Sequence, residues 1–228
     1  MDISNPSQNI VIRYLYSEKL GTGGYFTRSL VKIKDGKEIV MKENVVSGYV
    51  RGMLLACFLA GGLGKKDKNE SALIVGLGGG AMNNFFSTLE NQKNDENFPK
   101  LTFPYVTIVD IDPTIYYIAR RWYDSKPTVF QEFFVDDAIT FVQNRSSVFA
   151  NTGNANLLYD VIMIDCSATE PTYDLVAPIV EFMDPKVLKD VKAILKEGGT
   201  VVVNVVSFNL ELGPKILKKV KFFCFLTS

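Results

Sequence analysis

The stretch Ala72 to Ala81, Ala-Leu-Ile-Val-Gly-Leu-Gly-Gly-Gly-Ala, restricts the possible folds more than any other part of the chain. Small and branched apolar residues pass straight into Gly76, Gly78, Gly79 and Gly80, the pattern of a buried strand that ends in a tight turn before a helix. Glycines in such a turn take positive φ, let a ligand approach the backbone, and leave amide N–H groups of the following helix pointing at it. The turn is therefore expected to seat a nucleotide. Gly76-Leu77-Gly78-Gly79-Gly80-Ala81 fits both G-x-G-x-G and the dinucleotide form G-x-G-x-x-A, so the glycines alone leave the occupant open.

From Ala72 onward strands and helices alternate. Strands are expected at Ala72–Gly76, Tyr105–Asp110, Val129–Val135, Tyr159–Asp165 and Thr200–Val206. Between them lie helices at Ala81–Glu90, Thr114–Tyr123 and Ala138–Asn144, and one that starts at Asp184-Pro185 and stops at Gly198-Gly199. Asn91–Pro104 and Arg145–Asn156 are polar and read as loops, and Leu210–Lys219 reads as a last helix. Near-continuous apolar strands in this alternation imply a parallel, doubly wound, Rossmann-like α/β sheet. The chain stops at Ser228, soon after a sixth strand would begin at Phe222–Leu226, so the C-terminal edge is expected to be incomplete or finished by a partner.

The first residues differ in kind. Asn9–Ser17 and Tyr25–Lys34 are rich in β-branched and aromatic residues, with a Gly-Thr-Gly-Gly turn at Gly21–Gly24, then Asp35-Gly36 and a short run Glu38–Lys42. This predicts a small antiparallel layer over residues 1–48, followed by a helix at Tyr49–Leu63 and the main domain over 49–228. A length of 228 residues suits one sizeable α/β domain with an appendage.

The chain has no histidine, which removes Ser-His-Asp and Cys-His catalysis and histidine-ligated metals. Cys57, Cys166 and Cys224 lack metal-ligand spacing and are odd in number, which fits a reducing compartment, and no metal site is expected. Lys+Arg and Asp+Glu are both 25, so no general field favours nucleic acid or membrane. The longest apolar run, Met53–Leu63, is about half of the ~20 residues a spanning helix needs. The start has neither the basic nor the apolar part of a signal peptide, so a cytoplasmic protein is expected.

In such a sheet ligands bind outside the carboxyl ends of the strands, next to the strand-order switch. Gly76–Gly80, Asp110, Asp137 and Asp165 all fall there. Asp110 is placed to accept the hydroxyl hydrogens of a ribose, and Asp112, before Pro113, is expected to cap the next helix. Asp137 reads equally as an acceptor for an adenine amino group and as an N-cap, with Asp136 a bystander. Asp165 faces the reactive end of the cofactor, where a carboxylate orients an amine or receives its proton, although a loop-anchoring role fits too. Cys166 reads as a small buried residue. The loop Ser167–Glu181, with Thr169, Glu170, Pro171, Tyr173 and Asp174, is a candidate to close over a substrate.

With these residues in place the chain resembles the class I S-adenosylmethionine-dependent methyltransferases of the spermidine synthase-like branch. The blocks that carry the likeness are Val75–Gly80, Val109-Asp110-Ile111-Asp112-Pro113, Asp137-Ala138 and Tyr159–Asp165, within roughly Tyr49–Ser207. The resemblance implies S-adenosylmethionine bound by Gly76, Leu77, Gly78, Gly80, Asp110, Ile111, Asp137, Ala138 and Asp165, with Asp165 also catalytic. Spermidine synthases share the N-terminal hairpin layer, but their fourth strand ends in Asp-x-x-Asp, and Asp165-Cys166-Ser167-Ala168 keeps only the first carboxylate. The chain is more similar to the methyltransferase-like protein 13 family, whose C-terminal domain methylates the N-terminus of translation elongation factor 1-alpha. That likeness includes Glu170-Pro171-Thr172 and Val187–Leu195.

It implies a protein amine as methyl acceptor, with elongation factor 1-alpha a candidate substrate. The likeness to spermidine synthases, which are often dimers, makes a homodimer a candidate, and the balanced charge leads to no nucleic acid or membrane partner being expected. Three alternatives stay open at this level: a spermidine synthase-like aminopropyltransferase, an inactive scaffold that binds the cofactor, and an NAD-dependent oxidoreductase. The last lacks an evident acid–base.

Overall fold

The computed structural model describes residues 9–16, 25–65, 69–91, 104–167, 175–207, 209, 211–216 and 218. A three-stranded antiparallel sheet comes first, with β1 (Ile10–Tyr16), β2 (Tyr25–Lys34) and β3 (Lys37–Val45) in that order. Asp35 and Gly36 turn β2 into β3 at φ 52° and 70°, the two-residue hairpin that an Asp-Gly pair favours. The Gly21–Gly24 turn lies outside the described residues. Helix α1 (Gly48–Leu59) leads to the main sheet.

That sheet holds β4 (Ser71–Val75), β5 (Tyr105–Asp110), β6 (Gln131–Val135), β7 (Tyr159–Ile164) and, beyond the short β8 (Leu175–Ala177), β9 (Leu195–Val203). Its order is β6-β5-β4-β7-β9 and every neighbouring pair is parallel. The chain runs outward from β4 to β6, then returns to the other side of β4 with β7, so the switch point lies at β4 and β7. Helices α2 (Ala81–Asn91), α3 (Pro113–Trp122), α4 (Ala138–Thr152) and α5 (Pro185–Ala193) connect the strands. Asp112 and Asp184 cap α3 and α5 by accepting from the N–H of Thr114 and Lys186, each with proline at the first helical position.

Alternation along the strands sorts side chains to two cores. Leu73, Val75, Ile162 and Ile164 pack with Val142 of α4 and Val187, Leu188 and Val191 of α5. Ala72, Ile74, Val161 and Met163 pack on the opposite face with Val50, Met53 and Leu54 of α1 and Met82 and Phe86 of α2. Because helices cover both faces, every residue of β7 is buried, and each large aliphatic side chain there contributes about 1.5–3 kcal/mol. At the amino end of the sheet the one carboxylate in β7, Asp160, accepts from Ser71 N (2.8 Å) and Lys196 Nζ (2.6 Å), tying β4, β7 and β9 together.

Three expected boundaries are corrected. Helix α4 continues to Thr152 although Arg145–Asn156 reads as a loop. Ser146 Oγ donates to Asp190 of α5 (2.9 Å), and Arg145 lies 4.7 Å over the Tyr159 ring, so tertiary contacts outweigh the polar composition. Helix α5 stops at Ala193, and Gly198-Gly199 belong to β9 rather than to the helix end. They fall where the β7–β9 register slips between Tyr159 and Val161, and Gly198 (φ 69°) accommodates the bulge. Strand β9 ends at Val203, and Val206–Ser207 form a separate strand, β10, paired with β8.

Residues 212–216 are helical, and Phe222–Leu226 lie outside the described residues. Among the described residues no helix is long and apolar enough to cross a membrane.

Candidate functional site

The parallel register brings the strand ends level. Val75 pairs with Val109 on one side and Ile164 on the other, and Ile164 pairs with Val203. The next residues, Gly76, Asp110, Asp165 and Asn204, therefore form one row along the carboxyl edge. The sheet ladder carries the row through Gly76 N–H to Val109 O (2.9 Å), Asp165 N–H to Val75 O (2.8 Å) and Asn204 N–H to Ile164 O (2.9 Å). Of the four, three are residues the sequence points to.

Gly76 has φ 94°, and a Cβ there would overlap the carbonyl oxygen of Asp165 and stand 2.8 Å from its carbon. Glycine at this position lets the turn and Asp165 touch. The amides of the turn are not presented outward as the sequence suggests. Gly76 N–H donates to Val109 O, Leu77 N–H to Asp110 Oδ2 (2.7 Å), Gly79 N–H to Thr27 Oγ1 (2.7 Å) and Gly80 N–H to Leu77 O (2.8 Å). The sheet ladder takes the Gly76 amide, Asp110 that of Leu77 and the turn itself that of Gly80, while Thr27 of β2 takes that of Gly79. The Leu77 side chain is buried with Met82 and Phe86, so its part in the turn is played by the backbone.

Asp110 sits at the β5 end of the row, next to Gly76. Its Oδ1 accepts from Asp112 N–H (2.9 Å) and its Oδ2 from Leu77 N–H, two of the roughly four acceptor positions of a carboxylate. Burial pushes its pKa up, while the amides of Asp112, Leu77 and Gly78 hold it down. Ile111 beside it is 66% exposed, a large apolar side chain left uncovered at the rim. Asp137 caps α4, taking the Thr140 N–H on Oδ1 (2.7 Å), so the capping role is met and uses a single oxygen. Ala138 packs against the core, and Asp136 accepts the Asp137 N–H.

Asp165 ends β7 at the middle of this edge, between Gly76 and Asn204. Its Oδ1 accepts from Asn204 Nδ2 (2.8 Å), and Tyr49 Oη stands 3.4 Å from Oδ2 and 3.4 Å from the Phe26 carbonyl oxygen of β2. Burial raises its pKa to about 6 against the pull of Asn204 and Tyr49. Burial likewise pushes the Cys166 thiol up to about 12, so it is no nucleophile at neutral pH. Thr169, Glu170, Pro171, Thr172, Tyr173 and Asp174 lie outside the described residues.

Asn204, Tyr49 and Thr27 are the site neighbours that the sequence does not single out. Asn204 is hidden because Thr200–Val206 reads as one strand, although a polar residue directly after four strand residues, Thr200 to Val203, is the available signal. Nothing in the sequence marks Tyr49 or Thr27, which reach the edge from other layers.

These features define a Rossmann-like α/β sheet with a row of polar side chains at its carboxyl edge. Two solved structures show the same fold. Human Methyltransferase-like protein 13 in complex with SAH is 23% identical, covers 77% of this chain and 72% of its own, and has a TM-score of 0.61. A probable spermidine synthase from Corynebacterium glutamicum ATCC 13032 is 18% identical, covers 84% and 59%, and has a TM-score of 0.51.

In sequence the chain is similar to the human "eEF1A lysine and N-terminal methyltransferase", 29% identical over 149 residues, which is 65% of this chain and 19% of that protein. The Drosophila melanogaster homologue is 24% identical over 153 residues, 67% and 20% of the two chains. The chain thus spans about a fifth of the length of the curated relatives it matches. No family model matches it. The likeness read from the sequence motifs is borne out by these relatives.

Proposed function

We propose that the chain binds S-adenosylmethionine at the carboxyl edge of its sheet and transfers the methyl group to a protein amine, an N-terminus or a lysine, of an elongation factor 1-alpha-like substrate. The observation that carries this reading is Asp165, whose backbone carbonyl lies against Gly76 of the glycine turn and whose carboxylate is held by Asn204 and Tyr49. The names of the human and Drosophila melanogaster relatives support the substrate class.

The residues fit the cofactor. Ile111 offers an exposed apolar face for the adenine, Asp110 keeps acceptor capacity for ribose hydroxyls, and Asp137 caps with one oxygen and leaves the other for the adenine amino group. When bound, the cofactor supplies a sulfonium methyl group already activated for displacement.

The protein's task is then to hold an uncharged amine in line with the S–CH3 bond. Asp165, ionised above its raised pKa of about 6, accepts a hydrogen bond from the amine and aims the nitrogen lone pair. Once methylated, with the thioether as leaving group, the cationic amine would pass its surplus proton to Asp165 or to water. The homodimer and the cytoplasmic setting belong to the same proposal, supported by the family resemblance and the substrate class.

The test is incubation of the full chain with tritiated S-adenosylmethionine and purified elongation factor 1-alpha. Label in the protein, lost in Asp165→Asn, is expected. Cofactor binding with no label in elongation factor 1-alpha or in cell extract overturns the catalytic reading in favour of a scaffold.

A further inference from the structure

The N-terminal sheet makes its tightest approach to the glycine turn at Thr27. Thr27 of β2 is 3% exposed, and its Oγ1 accepts the Gly79 N–H at 2.7 Å. That hydroxyl lies 2.9 Å from where a Cβ on Gly78 would stand, and the Thr27 methyl lies 2.8 Å from where one on Gly79 would stand. Thr27 therefore fills space that two glycines hold open.

In a glycine turn that binds a nucleotide phosphate, backbone N–H groups leading into the helix donate to phosphate oxygens. Here a hydroxyl oxygen occupies the N–H of Gly79, and the amides of Gly76, Leu77 and Gly80 are bonded within the protein as well. A phosphate would have to displace Thr27 and leave the hydroxyl and its own charge unsatisfied in a buried place.

We propose that Thr27 is a specificity-determining residue, which fills the anion position of the glycine turn and so excludes pyrophosphate-bearing dinucleotides in favour of a nucleoside cofactor without phosphate. This rests on the reading of the edge as an S-adenosylmethionine site, and it supplies the discrimination that the glycine spacing lacks. The two branches of the side chain act separately. The hydroxyl satisfies a buried amide, and the methyl group takes up volume.

The experiment is calorimetric titration of the full chain with S-adenosylhomocysteine and with NAD+, in the wild type and in Thr27→Ala, Thr27→Ser and Thr27→Val, with melting curves to check folding. The wild type and Thr27→Val, which keeps the volume, exclude NAD+. Thr27→Ala gains NAD+ affinity, narrowing the preference for S-adenosylhomocysteine by at least about tenfold. The milder Thr27→Ser moves the same way by less and decides the matter if Thr27→Ala does not fold. NAD+ binding by the wild type as tight as that of S-adenosylhomocysteine, or no gain in either smaller variant, overturns the proposal. A wild type that binds no S-adenosylhomocysteine sinks the proposed function instead, since the gain in NAD+ affinity is read without that ligand.

Discussion

Asn204 donates its side-chain amide to the Asp165 carboxylate over 2.8 Å, joining the ends of β9 and β7 at the floor of the site. The bond does not offset burial, and the Asp165 pKa stands near 6. The folded chain thus holds this proton more tightly than the unfolded chain, whose aspartate titrates near about 3.9. Between these values the folded state binds more protons, so the stability from this group is full below about 3.9 and is lost as pH rises through about 6. Asp165→Asn is expected to match the wild type at acid pH and to exceed it at pH 7.5 by about 3 kcal/mol, read by urea unfolding at both pH values.

The proposed methyl transfer is expected to have the opposite slope, because on that reading it needs the ionised carboxylate. Its rate is expected to climb with pH through about 6 in the wild type. Asn204→Ala removes a donor that favours the charged form, so the midpoint of that climb moves to higher pH. A midpoint that stays in place separates Asn204 from the titration of Asp165.

Asp110 holds the glycine turn and the start of α3 at once, through Leu77 N–H and Asp112 N–H. In Asp110→Ala both amides lose a charged acceptor and, on the proposed reading, the ribose loses its partner, so affinity for S-adenosylmethionine is expected to fall by about a hundredfold or more. Unchanged titration heat would remove Asp110 from the site.

Two glycine substitutions separate crowding from backbone strain. Gly153 caps α4 at φ 64° with nothing within 4 Å of where a Cβ would stand, so Gly153→Ala meets strain alone and costs about 1 kcal/mol. Gly76, at φ 94°, adds the collision with Asp165, and Gly76→Ala is expected to cost about 2–4 kcal/mol by chemical denaturation. Equal costs at the two positions would deny the close approach.

At the far end of the sheet, Asp160 has partners of similar quality but no part in the site. Asp160→Ala leaves Lys196 and the Ser71 N–H without their acceptor and is expected to cost about 3 kcal/mol of stability. Affinity of the folded protein for S-adenosylhomocysteine stays as in the wild type.

The alternation from Ala72 onward could be read directly because strands covered on both faces must be apolar throughout. Tyr105–Asp110 coincides with β5 in full. The reading fails where local composition and tertiary contact disagree. Arg145 and Ser146 look like loop residues until Tyr159 and Asp190 give them partners, and Gly198-Gly199 look like a helix end until the register of β7 and β9 places a bulge there.

Residue order by itself determined the Rossmann-like sheet, the glycine turn at Ala72–Ala81 and the three aspartates at strand ends, since each depends on short-range periodicity and on the rule that ligands meet such sheets at their carboxyl edge. Only the tertiary structure decided what surrounds them. Asn204 lies about forty residues beyond Asp165 and Thr27 about fifty before Gly79, separations over which no local pattern acts. Parallel register brings Asn204 level with Asp165, and packing of the N-terminal sheet sets Thr27 on the amide that the glycine pattern alone would leave for a phosphate.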